Sequence, residues 1–232
     1  MDRDKPVENG GKFEAVNCSD VSEKVFLNWK DTLYRRLHTG ENRMIGAERA
    51  TIAQQLTRGL LNLAHTDPTS LGLRNVSPHW IVFDWRNQMY LQIGEARRGE
   101  SVAASQTRNT KQDSAGVEGQ RWIAPELMDE GSNKKHDHGA VFSLGLILWE
   151  LETGLVPFGE LDAANAQRQL GCGGQLPMTK ISSPKLVELI EKCLNLDPTG
   201  RPTLAEVLKE LGEDGLFTTG TILQDDPLGC NF

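Results

Sequence analysis

A mainly α fold carrying one short β-hairpin is the class this sequence predicts, on three observations. Apolar residues recur at helical spacing in several separate segments. One stretch, 141–151, is apolar nearly all the way round. Two runs of aromatic and β-branched residues, 80–83 and 88–91, flank the polar turn Asp84-Trp85-Arg86-Asn87.

Composition bounds the function before any motif is considered. At 232 residues the chain has room for one large domain or two small ones, and that size supports a core without metal or disulfide. Hydrophobic residues at 38% and charged residues at 25% exclude wholesale disorder. The longest apolar stretch, Val141 to Trp149, is about half the ~20 residues a membrane-spanning helix needs. No apolar run follows Met1-Asp2-Arg3-Asp4-Lys5, so no secretory signal is expected. The net charge of −7 argues against a nucleic-acid partner. A cytoplasmic or nuclear protein follows, neither secreted nor membrane-spanning. Cys18, Cys172, Cys193 and Cys230 are too widely spaced for a zinc ribbon or a disulfide framework, so reduced thiols are expected. His136-Asp137-His138 has no third ligand at a recognisable spacing, and a solvated loop with no metal is expected there.

Taken in order, residues 1–24 are polar, lack a sustained period and read as a flexible arm. Val25, Phe26, Trp29, Leu33 and Leu37 predict a first helix closed by His38-Thr39-Gly40. Ile52, Leu56, Leu60, Leu63 and Ala64 form the stripe of a longer helix from about Ala47 to His65, stopped by Asp67-Pro68. The hairpin follows, then a stretch from Arg97 to Glu118 almost bare of large apolar residues, which reads as a long exposed loop rich in hydroxyls. Residues 141–151 predict a fully buried helix ended by Thr153-Gly154. Ser183 caps a helix with Pro184 at its first position, and Leu186, Leu189, Ile190, Cys193 and Leu194 make its apolar face. Thr203-Leu204-Ala205-Glu206 is a capping box that starts the last helix, with Leu204, Val207, Leu208 and Leu211 turned inward and Gly212 at its end. Residues 212–232 are expected to be a loose tail.

This order resembles the C-terminal lobe of a eukaryotic protein kinase, with the N-terminal lobe absent, over residues 25–211. Three local matches carry the resemblance. Trp122-Ile123-Ala124-Pro125-Glu126 is similar to the end of a kinase activation segment. Val141-Phe142-Ser143-Leu144-Gly145, continuing through Glu150-Leu151-Glu152-Thr153-Gly154 to Pro157-Phe158, is similar to the central buried helix and the turn after it. Leu196-Asp197-Pro198 with Arg201-Pro202-Thr203 is similar to the penultimate turn.

The resemblance implies a degenerate site. Phosphoryl transfer needs positioned magnesium, a clamp on the phosphates and a base for the substrate hydroxyl. Kinases draw these from a His-Arg-Asp-Leu-Lys-Pro-x-Asn loop and an Asp-Phe-Gly motif. The matching segments are Leu73-Arg74-Asn75-Val76-Ser77-Pro78-His79-Trp80 and Gln92-Ile93-Gly94. The base is thus Asn75, the lysine Ser77, and the two metal ligands Trp80 and Gln92. An amide accepts no proton, an indole only donates, and neutral oxygens are poor ligands for a hard dication. No catalytic residue, metal or cofactor is expected. Neither a Gly-rich phosphate loop nor a Val-Ala-Ile-Lys lysine precedes the first helix.

Packing positions, by contrast, are kept. Glu126 and Arg201 match the pair that bridges the activation segment to the C-terminal helices. Leu73 and Ile93 match an internal packing column, and Phe142 lies in the buried helix. Ala140 replaces an aspartate that anchors the catalytic loop. The resemblance therefore implies a pseudokinase-like scaffold or regulator in signalling, binding a protein over the face an N-lobe would cover. The alternative is a serine/threonine or tyrosine kinase using ATP and magnesium with an N-lobe supplied elsewhere. Three positions stay open. Arg74 either contacts a phosphorylated loop residue or is simply solvated. Glu95 becomes a metal ligand if the register shifts by three. Trp80, Trp85 and Met89 form either a binding face or the lid of the lobe.

Overall fold

The computed structural model describes residues 14–17, 31–39, 44–74, 76–93, 118–128, 136–212 and 216–217. In chain order these form strand β1 (Glu14–Asn17), helices α1 (Leu33–His38), α2 (Gly46–Thr66) and α3 (Leu71–Arg74), and strands β2 (Ile81–Phe83) and β3 (Met89–Ile93). Short 3-10 turns follow at Gln120–Trp122 and Pro125–Leu127, then α4 (His136–Thr153), α5 (Ala163–Gly171), α6 (Pro184–Cys193), a 3-10 turn at Pro198–Gly200 and α7 (Leu204–Leu211). The fold is mostly helical with one small sheet.

The core is built around α4. Every residue from Gly139 to Thr153 is buried, so the helix has no solvent face to make polar, as its continuous apolar sequence requires. Gly154, at φ 68, turns the chain out in a conformation that favours glycine, and its amide closes on the Glu150 carbonyl at 2.8 Å. Helix α2 packs against α4 and α7, and α6 also packs against α4. Between α2 and α4 runs a fully buried ion pair, Arg49 to Glu152 at 3.3 Å. The Gln54 side chain reaches the Leu211 carbonyl at 2.8 Å, tying α2 to the end of α7.

Helix ends follow local chemistry. Ser183 caps α6 through the Leu186 amide with Pro184 in the first turn. Thr203 and Glu206 exchange bonds at the start of α7, the Glu206 carboxylate accepting from the Thr203 amide at 2.8 Å. The hairpin forms as expected, with β2 antiparallel to β3. Asp84 accepts from the amides of Arg86 and Gln88, and Asn87 sits at φ 63, a turn conformation that asparagine tolerates.

The structure differs from the sequence expectation in several places. Helix α1 begins at Leu33, because Thr32 is extended and its hydroxyl accepts from the Arg35 amide as an N-cap. Val25, Phe26 and Trp29 lie outside the described residues. Within the segment read as an arm, Glu14–Asn17 is a strand pairing parallel with β3, so the sheet has three strands in the order β1-β3-β2. A four-residue strand is too short to show a period, yet it satisfies the second edge of β3. His136-Asp137-His138 is the first turn of α4, half-buried, rather than a solvated loop. Within residues 212–232, Leu216 and Phe217 are buried in the core cluster. The loop 97–117 lies outside the described residues.

Candidate functional site

The segment matching the catalytic loop runs from the end of α3 into β2. Leu73 is fully buried. Arg74, half-buried, donates from Nη2 to the Leu127 carbonyl at 2.7 Å and is thereby fastened to the 3-10 turn Pro125–Leu127, not left to solvent. Asn75 lies outside the described residues, as does Glu95. A turn closed by the Trp80 amide on the Ser77 carbonyl at 3.0 Å brings those two side chains together. The Ser77 hydroxyl is buried and has no hydrogen-bond partner among the described residues. A methyl group added to Gly119 would fall 3.3 Å from Trp80 Nε1 and 3.4 Å from Ser77 Oγ. The Gly119 backbone therefore lies directly against the indole and the hydroxyl. Gln92 and Ile93 are placed by the backbone alone, in β3, in register with Val16 and Asn17 of β1. The structure thus unites Ser77, Trp80 and Gly119. Met89 is buried, whereas Trp85 is 74% exposed at the hairpin tip, so these two do not share a face with Trp80.

The second constellation is the anchor below this loop. Arg201 grips Glu126 with both terminal nitrogens, at 2.6 and 2.9 Å, and donates further to the Asn195 and His138 carbonyls at 2.7 and 2.8 Å. Its guanidinium stands 4.9 Å from the centre of the Phe142 ring. A planar cation with that many fixed acceptors holds the activation-segment end, the start of α4 and the turn before α7 in one arrangement.

A third cluster was missed from sequence. Glu150, in the last turn of α4, is fully buried, and its two oxygens meet His38 Nε2 at 2.6 Å and the Trp122 indole N–H at 2.8 Å. Tyr34 stacks on His79 with centroids 4.0 Å apart, and both rings stand edge-on to Trp122. Burial pushes the Glu150 carboxyl upward, opposed by the bonds from His38 and Trp122. Burial lowers His79 to about 4. Around the same segment, buried Arg121 donates to the carbonyls of Pro157, Phe158 and Leu161 at 2.8–3.1 Å, and Gln167 of α5 donates to those of Gln120 and Ile123. A charged residue inside a nearly unbroken apolar run was the available signal for Glu150. For α5 it was Asp162 capping Ala163, Ala166, Gln167 and Leu170 at helical spacing.

Residues 31–211 match the family model described as protein tyrosine and serine/threonine kinase. The chain belongs to the protein kinase family. Among curated relatives of this kinase-family chain, the serine/threonine-protein kinase CTR1 of Arabidopsis thaliana is 29% identical over 204 residues, covering 86% of this chain and 23% of that protein. The serine/threonine-protein kinase STY17 of the same plant is 42% identical over 97 residues, 40% of this chain and 16% of that protein. The human mixed lineage kinase domain-like protein is 25% identical over 178 residues, 76% of this chain and 37% of that protein. The chain thus spans less than a quarter of the length of the first of these curated relatives.

Kinase chemistry implies a magnesium–nucleotide site, and of the four residues that the motif resemblance matches to it, Ser77 and Trp80 are described in side-chain detail. Neither fits. Trp80 offers a donor where a cation needs an acceptor, and its ring is packed against Gly119. Ser77 offers a buried neutral hydroxyl where a phosphate clamp needs a cation.

Proposed function

We propose that this chain is a catalytically inactive, kinase-like domain built on the C-terminal lobe, acting in signalling as a scaffold or regulator that binds a protein partner. The observation that carries the reading is Trp80. The motif resemblance matches it to a metal-ligand position, and the indole is packed on Gly119, so no rearrangement of the ring yields an oxygen ligand. The anchor around Arg201 and the column position Leu73 are meanwhile built as folding features, which supports retention of the scaffold without the chemistry. The partner lies over the face an N-lobe would cover, near Trp80, in a cytoplasmic or nuclear setting.

The names of CTR1 and STY17 favour a second reading, a serine/threonine kinase that binds ATP with an N-lobe from elsewhere. Supplying that lobe leaves Asn75, Ser77, Trp80 and Gln92 as they are. Thermal unfolding with ATP alone, magnesium alone and both together separates the two. A ligand at about a hundred times its Kd adds ~2.7 kcal/mol, which moves the midpoint by about 5–10 °C for a chain of this size. The scaffold reading expects no movement in any arm. A rise with ATP and magnesium together, well beyond either alone, overturns it.

A further inference from the structure

We draw no further inference here: the strongest candidate, the exposed surface patch of Trp85 and Arg86 at the tip of the β2–β3 hairpin, is an unpartnered apolar surface, and nothing in the structure shows what covers it.

Discussion

Glu126 and Arg201 show how much of this molecule rests on single side chains. The Arg201 side chain is fully buried and that of Glu126 is 11% exposed, with two bonds of 2.6 and 2.9 Å between them. Removing Glu126 leaves the Arg201 guanidinium buried with carbonyl acceptors in place of a carboxylate, and removing Arg201 takes away the carboxylate's two-pronged partner, a loss of ~3–5 kcal/mol for breaking a buried pair. Chemical denaturation of Glu126→Ala and Arg201→Ala should each show a loss of that order. The double variant should lose much less than the sum, because the second substitution removes the charge that the first one stranded. Additive losses would mean that the two side chains stabilise the fold independently, through Phe142 and the neighbouring carbonyls rather than through each other. Arg74 makes a related point with a weaker hold. Its bond to the Leu127 carbonyl engages the guanidinium without any phosphate.

At the scale of elements, the crossing of α4 and α6 is set by one missing side chain. A Cβ built on Gly145 would meet the Cys193 Cβ at 2.7 Å and the Leu194 side chain at 3.1 Å. The first of these atoms is fixed directly to the α6 backbone, so only separation of the helices relieves the clash. Alanine gains about 1 kcal/mol of helix propensity over glycine, while overpacking costs roughly 1–3 kcal/mol. Rigid contact places the cost in the upper part of that range, and Gly145→Ala is expected to lower the thermal midpoint by about 2–8 °C. A rise in midpoint would show that the helices can part at no cost. The long elements were legible because their signals are local. The buried run of α4, the stripe of α2 and the caps of α6 and α7 each lie within a dozen or so adjacent residues. Strand β1 and helix α5 were not assigned residue by residue, since four residues hold no period and α5 buries only a narrow Ala-rich face.

Over the whole molecule, what sequence could not show are contacts between distant segments. His38 and Glu150 are 112 positions apart and Trp122 and Glu150 are 28 apart, so neither pairing is encoded in any window a periodicity argument can read. Trp80, Ser77, Glu126 and Arg201 were legible only through resemblance of short motifs to a family, and the close approach of Gly119 to Trp80 needed the fold itself. These long-range contacts also set how the molecule responds to acid. His79 is held at about 4 chiefly by burial, against ~6.5 for the unfolded chain. The unfolded state therefore binds the extra proton first, and the contribution of His79 is intact above about pH 6.5 and lost as pH falls toward 4. Glu150, shifted the other way, loses its contribution as pH rises. His79→Phe keeps a ring against Tyr34 and Trp122 while removing the titration. Its stability should match the wild type more closely at pH 4.5 than at pH 7, because only the wild type loses the His79 term in between. Urea titrations at both pH values check this, the other carboxylates cancelling in the difference. Parallel losses in the two proteins would mean that His79 is hydrated in the folded state and that acid acts through other groups.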